Sequence, residues 1–213
     1  MNKKRTTRKG AGMAKRIAAR GLWVVATTAL LAGCAGFPFG KTPPDTYDLT
    51  APAARVSAPK SLHRQLLVPE PTALKTLGSN QLVIHTSPSA VQYLSKSQWS
   101  DNLTAIVQSR LIEAYENSGR FGGVGRPGDG LAIDYRILTD IRAFDISVVG
   151  APTATVDISV RILNDRNGVV RGQKDFRVTV PISGTGNAAF VSGLDAAFDQ
   201  VANEIVQWTA QAI

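Results

Sequence analysis

Cysteine and histidine are nearly missing from this chain, with one cysteine and two histidines in 213 residues. A lone cysteine excludes an internal disulfide framework and a Cys-rich metal site, and two histidines leave little for a His cluster. Charge is sparse too, at 19% Asp, Glu, Lys and Arg, whereas 44% of the residues are apolar, so wholesale disorder is excluded and a core can form. The 19 glycines and 11 prolines are too few for a low-complexity chain. No apolar run reaches the roughly twenty residues of a permanent membrane span. The length suits one ordinary domain.

The formal net charge is +8 and the pI about 9.9, a balance that suggests nucleic acid or an anionic surface until its position is considered. Eight of the 24 basic residues lie in residues 1–33, which hold no acid. Removing that segment leaves 16 basic against 16 acidic side chains and no nucleic-acid footprint. Lys3, Lys4, Arg5, Arg8, Lys9, Lys15, Arg16 and Arg20 precede an apolar run from Leu22 to Leu31. This is the charged-then-apolar order of a secretory signal.

The run ends in Leu31-Ala32-Gly33-Cys34, which resembles the bacterial lipobox. Leu31, Ala32 and Gly33 would be read by the lipoprotein signal peptidase, and the Cys34 thiol would take a diacylglyceryl group. An incidental thiol after an ordinary signal is the plainer alternative, and the complete motif at the end of such a leader outweighs it. Cys34 then becomes the mature N-terminus carrying a covalent diacylglycerol and an N-acyl chain, and no other cofactor is expected. Ala35 stands where an Asp commonly signals inner-membrane retention, which directs the protein to the periplasmic face of the outer membrane. Residues 34–46 include Pro38, Pro43 and Pro44 and show no periodicity, as expected of a short extended tether.

Residues 47–213 read as one α+β domain. Short apolar-polar strands are expected at Tyr47-Asp48-Leu49, Gln65 to Val68 and Gln81 to Thr86. Helical spacing runs from Ser97 to Ser118, with Trp99, Leu103, Ile106, Val107, Leu111 and Tyr115 on one stripe, Ser97 or Ser100 as cap and Gly119 as C-cap. A glycine-rich loop is expected from Gly122 to Gly130. A long strand over Leu131 to Phe144 with a bulge near Leu138, another over Ala154 to Leu163, and a return through Asn167-Gly168 to Phe176, Val178 and Val180 make an antiparallel meander. A second helix carries Phe190, Leu194, Phe198, Val201, Ile205 and Trp208 on one face. The fold class expected is α+β, a two-layer sandwich of a mostly antiparallel sheet with two long helices on one face.

Chemistry-bearing motifs are scarce. No Gly-x-Ser-x-Gly elbow surrounds a serine, and His63 and His85 stand apart in the sequence. Gly122-Gly123-Val124-Gly125 lacks the lysine of a phosphate loop and opens no helix. Asp134, Asp140, Asp145 and Asp157 are spaced singly, without a metal-loop pattern. The residues alone describe a lipid-anchored, non-enzymatic module.

Several stretches taken in order are similar to the ABC-type transport auxiliary lipoprotein family, which includes the PqiC-type proteins. They are the lipobox, Tyr47-Asp48-Leu49 after the Pro-rich tether, Val91-Gln92-Tyr93-Leu94 before Trp99 and Leu103, and Val107 to Leu111 ending in Ser118-Gly119-Arg120-Phe121. Asp134-Tyr135, Asp140 to Phe144, and Ala197-Phe198-Asp199 with Trp208 complete the pattern. The resemblance implies a non-catalytic outer-membrane-side component of a lipid-transport system, whose ATPase and permease work with MCE-domain proteins that bridge the periplasm. It implies no metal and no catalytic residue; only Cys34 carries over as a defined site. Tyr47, Leu49, Trp99, Phe144 and Trp208 carry over as pattern residues, structural or at an interface. A homo-oligomer is compatible with the resemblance. A carrier holding an acyl chain between sheet and helices, and a hydrolase using His63 or His85, are the alternative readings.

Overall fold

The computed structural model describes residues 43–53, 55–58 and 60–213, and the lipobox reading, Leu31 to Cys34, lies outside them. Among the described residues ten strands and two helices follow the order β1 (Asp45–Tyr47), β2 (Ser61–Leu67), β3 (Thr72–Ala73), β4 (Val83–Ser87), β5 (Ala90–Tyr93) and β6 (Ser97–Trp99), then α1 (Leu103–Ser118). β7 (Phe121–Gly125), β8 (Tyr135–Ser147), β9 (Thr153–Asn164), β10 (Val170–Pro181) and α2 (Asn187–Ala212) complete it.

Strand β8 is the hub. On one side β9 pairs with it antiparallel along nearly its whole length, and β10 pairs in turn with β9, which is the expected meander. On the other side three short strands join β8 in succession, all parallel. Leu66–Leu67 of β2 stand opposite Tyr135–Arg136, Thr72–Ala73 of β3 opposite Asp140–Ile141, and Val83–His85 of β4 opposite Asp145–Ser147. Pro69 and Pro71 explain the break between β2 and β3, because proline has no N–H to give to the ladder. Parallel β7 continues the sheet beyond β2, antiparallel β5 beyond β4, and β1 with β6 makes a separate parallel pair.

The α+β architecture stands, with a dominant, mixed sheet, and the local expectations shift in several places; Asp48 and Leu49 lie outside β1, and β8 starts at Tyr135 rather than Leu131. Ser97 to Trp99 is strand, so α1 starts at Leu103 behind Asn102, which makes no side-chain capping bond, and neither Ser97 nor Ser100 caps it. The apolar stripe misled because Trp99 is buried in either conformation. The bulge sits at Arg142, not Leu138: Ile141 faces Ile158 and Ala143 faces Asp157, so one residue of β8 is extra. Tyr135, Ile137 and Ile141 point into the core before the bulge, Phe144 and Ile146 after it. The glycine-rich stretch is half strand, since Gly122, Gly123 and Gly125 belong to β7; a Cβ on Gly122 would run into the Leu62 carbonyl oxygen of β2. Finally, Asp45 and Thr46, expected in the tether, are in β1. Gly119 does cap α1, at φ 59° and ψ 26°, a left-handed conformation that costs glycine little.

The core fills the layer between helices and sheet. Trp99 meets Phe144 edge-on with ring centroids 5.9 Å apart, Phe144 lies 6.1 Å from Phe198, and Tyr115 from α1 sits 5.5 Å from Phe121. The buried Tyr115 hydroxyl and the Thr209 hydroxyl share a hydrogen bond of 2.9 Å that ties α1 to α2. Burial pushes the Tyr115 hydroxyl well above the usual tyrosine range, so it stays protonated.

Candidate anchoring and docking site

Between β1 and β2, residues 50–53 and 55–57 lie along α2, fastened by a row of acceptors. The Thr50 and Ala53 amides donate to the carboxylates of Asp195 and Asp199 at 2.8 and 3.1 Å. The Arg55 and Ser57 amides donate to the side-chain oxygens of Asn203 and Gln207 at 3.0 and 2.8 Å. Gln207 also donates its amide to the Ser57 carbonyl at 2.9 Å, and Arg120, just past α1, donates to the Val56 carbonyl at 2.7 Å. The geometry follows from two repeats. Every fourth helix residue lies on one face about 6 Å further along the axis, and two residues of extended chain advance about 6.6 Å, the step from Ala53 to Arg55 to Ser57, while Thr50 stands three residues before Ala53. Acceptors at 195, 199, 203 and 207 can therefore each meet a backbone N–H of one strand-like strap.

This strap follows β1, which pairs with β6, and it joins the N-terminal part of the described chain to α2. Its hydrogen bonds are solvent-exposed, each contributing about 1 kcal/mol. The double variant Asp195→Ala, Asp199→Ala should therefore speed amide exchange at Thr50 and Ala53 by roughly fivefold or more, with only a small fall in melting temperature. Hydrogen-exchange mass spectrometry checks this; unchanged exchange over residues 50–57 would show that the ladder does not hold the strap.

The pattern residues divide by burial. Leu49, Trp99 and Phe144 are fully buried and form the core beside Phe198. Tyr47 and Trp208 are half-buried, Trp208 packing edge-on against Phe176 at 5.6 Å. Tyr47, Leu49, Trp99 and Phe144 come together at the start of the strap, and Trp208 stands at its far end.

On the face of the sheet away from the helices, polar side chains cross the strands. Asp175 accepts from the Ser159 hydroxyl and from Arg142, both at 2.7 Å, and these two bonds hold its carboxyl below the usual range. Arg142 also faces Asp140 at 3.7 Å, Asp140 accepts from Thr72 at 2.8 Å, and Arg177 reaches Asp157 at 3.3 Å. Burial raises the Asp145 carboxyl, partly offset by His85 and Arg177. A hollow of about 490 Å³ opens where β2 leaves β8, lined by Glu70, Thr72, Thr139, Asp140, Arg142 and Arg161 among others. Among the described residues no group of three His, Cys, Asp or Glu side chains converges for a metal ion, and no helix is long and apolar enough to cross a membrane.

The two histidines do not share a site. His63 is on β2, which meets β8 at Tyr135, and His85 is on β4, which meets β8 at Asp145, about 33 Å further along. His85 stands 3.7 Å from Asp145.

The sequence model of the ABC-type transport auxiliary lipoprotein component matches residues 47–206. The chain belongs to this family. The match spans the strap, both helices and the sheet. A protein of Bradyrhizobium diazoefficiens, uncharacterized protein bll6063, is 32% identical over 189 residues, covering 86% of this chain and 50% of that protein. This auxiliary-component chain thus spans about half the length of that curated relative. Protein XCC0632 from Xanthomonas campestris has a similar crystal structure, with a TM-score of 0.73 and 27% identity over 78% of this chain and 94% of that one. A second solved structure, of an uncharacterized protein, gives a TM-score of 0.65 at 15% identity over 79% of this chain and 99% of its own, and supports the fold alone.

Sequence reasoning missed the acceptor row, although Asp195, Asp199, Asn203 and Gln207 stand four apart beside the apolar stripe of α2. Polar residues in that register look like an ordinary wet helix face until the strap is seen lying on it.

Proposed function

We propose that this protein is an outer-membrane-anchored periplasmic lipoprotein that serves as a non-catalytic auxiliary component of an ABC and MCE-type intermembrane phospholipid transport system. Its role is to dock the transport assembly at the outer membrane. The observation that carries this reading is the strap: the residues that follow the tether are bound along α2, so the N-terminal part of the domain is fastened to its C-terminal helix. Family membership supports association with an ABC-type transport system.

The assembly would meet the domain away from the tether. Among the described residues β10 pairs only with β9, so its outer edge presents unpaired backbone groups suited to an added strand, flanked by Arg171, Lys174 and Arg177. The test is co-purification: the full lipidated chain, extracted in mild detergent, should bring down an MCE-domain protein together with the permease and ATPase. Recovery of the chain alone, under conditions that preserve the permease–ATPase contact, would overturn the docking role. The carrier reading asks an acyl chain to enter the layer where Trp99, Phe144, Phe198 and Ile205 are already packed and buried, and so asks for their displacement.

A further inference from the structure

One end of the sheet, beside the point where the described chain enters, carries no charge on three of its connections. Three connections meet there. The β8–β9 turn and the segment after β10 are joined by the Ile182 amide donating to the Pro152 carbonyl at 2.9 Å, and the β4–β5 hairpin is joined to them by the Val148 amide donating to the His85 carbonyl at 3.0 Å. Residues 86–90, 148–153 and 179–190 contain no Asp, Glu, Lys or Arg, in a chain of which 19% is charged. They are Ser, Thr, Gly, Pro, Ala, Asn and a few larger apolar residues. Val149 in the turn and Val91 on the hairpin are each 47% exposed. The opposite end differs, with Arg126, Asp129, Asp165, Arg166 and Arg171 on or beside its loops.

The entry of the chain belongs to the uncharged end. Asn187, the first residue of α2, donates to the Ser95 carbonyl at 3.0 Å and to the Ser97 hydroxyl at 2.7 Å, and Ser97 pairs with Asp45 of β1. Gly193, less than two turns into α2, packs on Ala154 at the start of β9. Asp45 and Lys96, joined through their backbones at 2.9 Å, are the charges nearest the entry.

We infer that this uncharged end is the face the domain sets against the membrane, resting Val149 and Val91 in the lipid headgroup region. The inference rests on the anchor reading, in which Cys34 carries the acyl chains. Eight residues then separate the anchor from Pro43, a reach of at most about 30 Å, so the domain cannot leave the surface and a weak contact becomes a populated one. Charged loops would resist losing water in the headgroup region, whereas hydroxyl, glycine and small apolar residues lose little, and burying each valine is favourable.

Nitroxide labels test the orientation. The full lipidated chain, with Val149→Cys in one variant and Val169→Cys in another, is reconstituted in phosphatidylcholine vesicles; Val169 lies at the other end of β9 and is also exposed, at 53%. The acylated Cys34 offers no thiol, so each label has one site. The expected result is a several-fold higher ratio of oxygen to water-soluble nickel-chelate collisions at position 149 than at 169. Equal ratios on chains that float with the vesicles would overturn the orientation alone. Failure of the wild-type chain to float would overturn the anchor reading and the orientation with it. Shielding of position 149 only after an MCE-domain protein is added would assign this end to a protein partner and overturn the membrane contact.

Discussion

Cys34→Ser should move the protein almost completely from the membrane pellet to the soluble periplasmic fraction. On the proposed anchor reading, the acyl chains on Cys34 would supply the strong attachment. Each methylene buried in lipid contributes about 0.8 kcal/mol, one chain holds only marginally, and two or more hold stably. Charge cannot replace them, because residues 34–213 carry 16 basic and 16 acidic side chains and no polybasic run. The contact inferred for Val91 and Val149 is worth far less than an acyl chain and would not retain the variant by itself. Washing the wild-type membranes in high salt should release none of the protein, since screening acts on charges and not on acyl chains. Fractionation followed by immunodetection reads both results. A serine variant that pellets as completely as the wild type would overturn the anchor reading and require another means of attachment.

Phe144→Ala should lower the stability of the domain by about 3–5 kcal/mol, which for a domain of this size corresponds to a fall in melting temperature of roughly 10 °C. Phe144 is fully buried on β8 just past the bulge, and its ring touches both Trp99 and Phe198, so truncation leaves a cavity that two large neighbours cannot fill. Phe144→Leu keeps most of the volume and should cost less than half as much. Urea or thermal unfolding of the purified protein gives both values. The comparison decides what the family pattern means at this position: a residue kept for an interface would leave unfolding unchanged when truncated, whereas a core residue would not.

Trp99 and Leu49 are as deeply buried as Phe144, so their role is to close the core beneath the start of the strap. Tyr47 and Trp208 keep part of their surface in water; Tyr47 pairs with Trp99 across β1 and β6, and Trp208 packs on Phe176 of β10. The polar ladder across the outer face of the sheet is held mainly by exposed ion pairs such as Arg142 with Asp175, which contribute little to stability individually. Its effect is to keep that face wet and to aim β10 along β9.

What could be read in the sequence was local. The alternation of Val156, Ile158, Val160 and Ile162 determined a strand with one dry face, because successive side chains of extended backbone point to opposite sides. The Asn167-Gly168 step determined the return to β10, and Gly168 does take a positive φ of 69°. The apolar stripe of residues 187–212 determined a helix with a single buried face, and Gly119 marked the end of α1. The charge asymmetry determined that the basic excess belongs to residues 1–33.

Only the tertiary structure decided the rest. Ser97 to Trp99 became a strand because Asp45 to Tyr47 lies beside it to be paired, and a three-residue window carries no record of a partner some fifty residues away. The parallel succession of β2, β3 and β4 along β8 depends on one long edge that accepts short strands, with Pro69 and Pro71 separating the first two and a turn through Gly78 separating the last two. The strap depends on acceptors 145 to 150 residues distant, and the uncharged end on three loops brought together from separate parts of the chain. Hydrophobic periodicity is set by the distance between neighbours along the backbone. Pairing, strapping and the composition of a surface are set by distances in space, and those exist only once the chain has folded.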